Sequence, residues 1–150
     1  MTVIAYKDGI LAADTASWHG NLKTGTAHKI YLINSSDPRL DGAVAAFAGW
    51  SPQVQRAIGW LSAGCQEGEM EPADQGDLQG IVVTRERVLY SLPHNFQLHQ
   101  LDRQDMAAIG AHPEFLWGAM LAGASAEEAV RLAIQHCASA GGEVQVATVG

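Results

Sequence analysis

The chain has little cysteine: its 150 residues hold two, Cys65 and Cys137, far apart and without a CxxC pairing. That sparsity suits reduced thiols better than a disulfide scaffold or a zinc site. Positive charge is scarce as well. Nine Lys and Arg stand against sixteen Asp and Glu, a net charge of −7, and the basic residues cluster in no window, so nucleic acid is not an expected partner. Long apolar runs are missing: none approaches the ~20 residues of a membrane span. Nor does a basic segment followed by an apolar one open the chain, so neither a membrane nor a secretory signal is expected and the cytoplasm is the expected compartment. Internal repeats, low-complexity tracts and linkers are lacking too. With 47% hydrophobic and 17% charged residues, a single domain over 1–150 with a substantial core is expected.

What is present begins with MTVIAYKDGILAAD. Residues 2–7 and 10–14 are two β-rich runs around Asp8-Gly9, a dipeptide that accepts the positive φ of a type I′ turn, so a hairpin is predicted with Lys7 opposite Ile10 and Val3 opposite Asp14. Residues 15–28, rich in glycine and threonine, read as a loop or weak strand. KIYLIN (29–34) and AVAAFA (43–48), ending at Gly49, are the next strands. Ser51-Pro52 reads as an N-cap and first-turn proline, with Val54, Ile58 and Leu61 at helical spacing to about residue 63. An acidic surface loop is expected over 66–77, then a hairpin of 78–84 with 88–91, a strand or edge in PHNFQLHQL, and a short strand over 106–109. From Pro113 the pattern turns helical and breaks at Gly123; Ser125-Ala-Glu-Glu128 is a capping box opening a last helix to about 137. After Gly141-Gly142, residues 143–149 alternate as a final strand. Strands, helix, strands, two helices, strand is not the βαβ alternation of a parallel sheet. The order suits an α+β fold, a four-layer αββα sandwich of two antiparallel sheets.

Thr2 directly follows the initiator methionine. With Met1 retained it is an ordinary strand residue; with Met1 removed it carries a free α-amine beside its hydroxyl, a base and a nucleophile on one residue. Other chemistry-bearing residues have plainer readings. His94 and His99 lack a third ligand at zinc spacing, and no metal is assigned. The adjacent His136 and Cys137 point in different directions at a helix end, so Cys137 reads as a buried inert thiol. Trp50, Trp60 and Trp117 read as core or subunit interface, and no helix follows the GGE turn to make a phosphate loop.

Thr2 behind Met1, the hairpin ending in AAD, the lysine in TAHKIYLI, the strand closing in AFAG, and the C-terminal AIGAHPEFLWGAMLAGASAEEAV followed by SAGGEVQV together resemble the proteasome β-subunit and its short bacterial and phage relatives, which are N-terminal-nucleophile hydrolases. The resemblance runs in order along nearly the whole chain. It implies Thr2 as nucleophile with its α-amine as general base, Lys29 as the cation near the hydroxyl, Asp14 as the carboxylate holding Lys29, and Gly49 as a backbone N–H for the oxyanion. It also implies a homo-oligomeric ring, an extended peptide substrate, an ATPase unfoldase as possible partner, and no cofactor. The chemistry is coherent: a free α-amine titrates near ~7.7–8.0, and a lysine beside it discourages its protonation.

Three positions depart from the family pattern. Where a serine, a carboxylate, and a serine or threonine are usual, this chain has Ala111, Cys137 and Ala140, although a one-residue slip would leave Ser139 usable. These losses favour the alternative, a catalytically impaired, proteasome-derived scaffold subunit. A plain structural ion pair is the other reading of Asp14 and Lys29. An amidase acting on a small amide would use the same nucleophile, with a deep pocket in place of a peptide groove.

Overall fold

A computed structural model describes residues 1–65, 78–93 and 96–150. The predicted acidic loop at 66–77 and His94 lie outside the described residues. Strands β1 (Val3–Lys7) and β2 (Ile10–Asp14) pair antiparallel with Lys7 opposite Ile10, and Asp8 and Gly9 take φ of 50° and 85° in the turn between them. β1 pairs on its other side with β10 (Met106–Gly110), and β2 with β11 (Val144–Thr148), giving a four-stranded antiparallel sheet in the order β10-β1-β2-β11. Both central strands are buried along almost their whole length because both faces of this sheet are covered. Side chains alternate between the faces with a period of two. Val3, Ala5 and Ala12 pack on α2 (Pro113–Leu121) and α3 (Ala126–His136), whereas Ile4, Tyr6, Leu11 and Ala13 meet the next sheet.

That next sheet has five strands in the order β5 (Ile30–Leu32), β6 (Val44–Gly49), β7 (Leu78–Val83), β8 (Leu89–Pro93) and β9 (His99–Gln100), every neighbour antiparallel. Val44, Ala46, Ile81 and Val83 face the first sheet; Ala45, Phe47, Val82 and Leu92 face α1 (Ser51–Ser62). Each large side chain buried in these layers contributes about 1.5–3 kcal/mol. Trp60 of α1 stacks on Phe96 at 5.7 Å between centroids, an aromatic contact worth about 0.5–1.5 kcal/mol beyond its burial.

Two details differ from the sequence reading. Residues 15–28 hold a second hairpin, β3 (Ala16–His19) and β4 (Leu22–Thr26), which forms a third, two-stranded sheet with a bulge at Ser17/Trp18. β4 is exposed throughout, so it carries no alternation of buried and exposed residues by which a sequence could reveal it. The N-cap of α1 is Trp50, whose side chain makes no capping bond; Ser51 is already inside the helix with Pro52 in its first turn. The capping box of α3 forms at Ser125, whose Oγ accepts from the Glu128 N–H at 3.1 Å.

Candidate active site

The hairpin register places Asp14, the last residue of β2, beside the start of β1. Asp14 is 0% exposed, and its carboxylate accepts three hydrogen bonds: Oδ1 from the Val3 N–H at 3.1 Å and from Lys29 Nζ at 2.8 Å, and Oδ2 from the Gly141 N–H at 3.1 Å. Gly141, in the turn before β11, thus holds the carboxylate oxygen that β1 does not. Lys29 stands immediately before β5 and is 6% exposed; its backbone carbonyl accepts from the Phe47 N–H, extending the β5–β6 pairing by one residue. Burial lowers the pKa of the Lys29 ammonium, while its hydrogen bond to Asp14 and the carboxylate's charge act the other way.

Thr2 extends the β1–β10 pairing: its carbonyl accepts from the Ala111 N–H at 2.7 Å. Gly110 has φ of 91° and packs its α-carbon so close to the Thr2 carbonyl that a β-carbon would collide with that oxygen. Thr2, Lys29 and Gly49 line one cavity of about 300 Å³, whose other walls include Trp18, Tyr31 and Phe47. Asp14 is not part of the wall and meets the site through Lys29. With Met1 present the Thr2 nitrogen is a peptide N–H. The amine of Met1, which also lines the cavity, is held below its ordinary pKa, first by burial and then by the Lys29 charge, with Asp14 opposing.

The structure therefore brings Lys29 onto Asp14 and brings Thr2 and Gly49 to the same cavity as Lys29. At the three departures it places apolar side chains: Ala140 is buried against α3, and Ala111 and Cys137 pack on that same core. Ser139 pairs instead with His112, Oγ to Nε2 at 3.3 Å. Among the described residues no three His, Cys, Asp or Glu side chains gather as metal ligands, and no helix is long and apolar enough to cross a membrane.

No protein-family model matches the sequence, and no curated protein sequence matches it significantly. Solved structures do match, end to end. Eukaryotic HslV from Trypanosoma brucei superposes with a TM-score of 0.68 at 16% identity, covering 99% of both chains. Thiobacillus denitrificans BPH gives 0.60 at 17%, covering 99% of this chain and 98% of its own. Anbu, an ancestral beta-subunit from Yersinia bercovieri, gives 0.66 at 12%, covering 97% of this chain and 80% of its own. The fold is the proteasome-like one that these structures share. At these identities the likeness is one of fold, and the chemistry rests on this chain's own residues. In this proteasome-like fold the buried ion pair lies at the chain's beginning, where β1, β2, β5 and the turn before β11 converge.

Two partners of that pair were not singled out in the sequence. Gly141 was visible there as a turn residue, yet nothing local says that its N–H meets a carboxylate 127 positions away. Gln145 is one polar position in an alternating strand, a pattern that ordinarily marks a solvent-facing side chain. Its side-chain amide instead bonds to the backbone of Asp14, Ala27, Lys29 and Ile30.

Proposed function

We propose that the protein is a proteasome-like threonine peptidase, with Thr2 exposed as nucleophile by removal of Met1, acting within a self-assembled ring. The observation that carries the reading is the wholly buried Asp14 holding Lys29 at a cavity that Thr2 and Gly49 also line. Three successive cores, helix on sheet, sheet on sheet and sheet on helices, support a four-layer αββα arrangement around it. In the mature chain the Thr2 α-amine takes the proton from its own Oγ, directly or through water, as Oγ attacks a peptide carbonyl carbon. Burial and the neighbouring ammonium favour the neutral amine, as they do for the Met1 amine. The Gly49 N–H receives the oxyanion, and Lys29 stabilises negative charge developing on Oγ. Collapse of the intermediate passes the proton to the leaving amine and leaves an ester on Thr2. Water hydrolyses that ester, again with the amine as base. An extended peptide pairs with the strand edges around the cavity, and an ATPase unfoldase is the partner that would feed a closed ring in the cytoplasm.

A second reading is a scaffold subunit of the same fold. It is favoured by the apolar packing of Ala111, Cys137 and Ala140, where the family's pattern has polar groups. Each polar partner lost beside a charged group costs about 1–3 kcal/mol, so three lower the rate by several decades. Intact mass first establishes whether the chain begins at Met1 or Thr2. Thiobacillus denitrificans BPH is also known in complex with epoxomicin. Epoxomicin is therefore the probe here: one equivalent is expected on the Thr2-terminated protein and none on Thr2→Ala, with light scattering well above a 15.9 kDa protomer. A Met-free, folded protein that stays unlabelled at high probe concentration overturns the peptidase reading in favour of the scaffold; a particle of protomer mass overturns the ring.

A further inference from the structure

We infer that Gln145 is the positioning residue of the Asp14–Lys29 pair: one side-chain amide sets the separation of the strand end that carries the carboxylate and the strand start that carries the ammonium. The two belong to different sheets, β2 to the four-stranded one and β5 to an edge of the five-stranded one. Gln145 of β11 stands opposite Ala13 of β2, and residues directly opposite in an antiparallel pair share a face. Ala13 faces the second sheet, so Gln145 does too, at a place where apolar residues otherwise pack.

There its amide uses its full capacity of two donors and two acceptor positions. Oε1 accepts from the N–H groups of Lys29 at 3.0 Å and Ile30 at 3.3 Å; Nε2 donates to the carbonyls of Asp14 at 3.1 Å and Ala27 at 3.0 Å. Among the described residues β5 has a strand neighbour on one side only, and Gln145 accepts from its first N–H, that of Ile30, and from that of Lys29 just before it. Both members of the ion pair thus have their own backbone bonded to the same side chain. If the bracket is removed, the two sheets remain joined by the apolar core, but the ammonium is no longer fixed relative to the carboxylate and to the cavity. A glutamate cannot substitute, because a carboxylate cannot donate to the two carbonyls.

The catalytic consequence rests on the peptidase reading; the geometric one does not. The test uses full-length, Met-free protein with 15N-labelled lysine, following the Lys29 Nζ resonance with pH in wild type and in Gln145→Met, which keeps the side chain's length and removes all four bonds. Among the described residues the charges coupled to this ammonium are those of Asp14 and of the Met1 amine, whose place the Thr2 amine takes in the Met-free chain. In wild type Lys29 is expected to titrate below the ordinary lysine value. In Gln145→Met, water reaches the ammonium, the burial effect relaxes as the larger influence, and the midpoint moves upward. Epoxomicin labelling should slow by about 10- to 100-fold, as for a displaced catalytic group. If Gln145→Met does not fold, Gln145→Glu keeps both acceptor contacts and tests the donors alone; its labelling should slow likewise. A folded Gln145→Met with the wild-type Lys29 midpoint, or a folded Gln145→Glu labelled at the wild-type rate, overturns the inference. A wild type that never labels, with a Lys29 midpoint that moves in Gln145→Met, removes the peptidase reading and leaves the positioning role standing.

Discussion

Replacing Asp14 by Asn should destabilise the protein more than replacing Lys29 by Met. Asp14 is wholly buried, and among the described residues it is the hydrogen-bond partner of Lys29 Nζ. In Asp14→Asn one carboxylate oxygen becomes an NH2, which faces the Gly141 N–H or the pair formed by the Val3 N–H and the ammonium. Either way donor meets donor, and a cation only 6% exposed loses its counter-charge. Breaking a buried pair from this side costs about 3–5 kcal/mol. At about 2–4 °C per kcal/mol for a domain of this size, the midpoint should fall by roughly 6–20 °C. Lys29→Met removes the charge that burial penalises and leaves Asp14 with two backbone donors. Asp14 loses its counter-charge as well, but the Val3 and Gly141 N–H groups go on compensating the carboxylate, so the loss is held to about 1.5–3 kcal/mol, below that of Asp14→Asn. The assay is urea unfolding at fixed protomer concentration from pH 7 to 10. The folded pKa of Lys29 is lowered, so the unfolded chain holds that proton to higher pH. The burial penalty is complete below the folded pKa and is relieved as pH rises from there toward the ordinary lysine value. The deficit of Asp14→Asn relative to wild type should shrink over the same range, because its stranded ammonium deprotonates sooner still. Equal losses for the two variants at pH 7, or a deficit that grows with pH, would refute the assignment of Lys29 as a buried cation held by Asp14.

Two further outcomes test a close backbone approach beside Thr2 and the burial of a thiol elsewhere in the fold. Gly110→Ala should lose about 2 kcal/mol or more in urea unfolding, from a left-handed backbone and a collision with the Thr2 carbonyl. Gly118→Ala, in α2 with open space at its β-carbon, should instead gain about 0.5–1 kcal/mol, and a Gly110→Ala as stable as wild type would discard the close approach. The Cys65 thiol is pushed up to about 11 by burial and then by the Asp37 charge, so its iodoacetamide rate in a Cys137→Ala background should still be climbing at pH 10. A plateau near pH 9 would count against that burial.

Local chemistry was legible along the chain wherever few residues settle the conformation. Asp8-Gly9 specifies its turn, Ser125 with Glu128 opens α3, and alternation through 143–149 marks β11. The candidate quartet Thr2, Asp14, Lys29 and Gly49 was also present in the sequence, as residue types in an order that resembles a known family. The β3–β4 hairpin was not legible, because exposed threonines and glycines leave no periodic trace. Only the tertiary structure decided that Val3, Lys29 and Gly141, from three separate stretches, all donate to one carboxylate, and that Thr2 shares a cavity with Lys29 while Asp14 stays behind it. It also turned Gln145 from a polar position in an alternating strand into the amide that joins two sheets. Turns and caps are closed by bonds over a few residues, and so are written where they occur. The environment of a buried charge is assembled from strands distant in sequence, and its donors are mostly backbone N–H groups, which every residue but proline carries and no sequence pattern distinguishes.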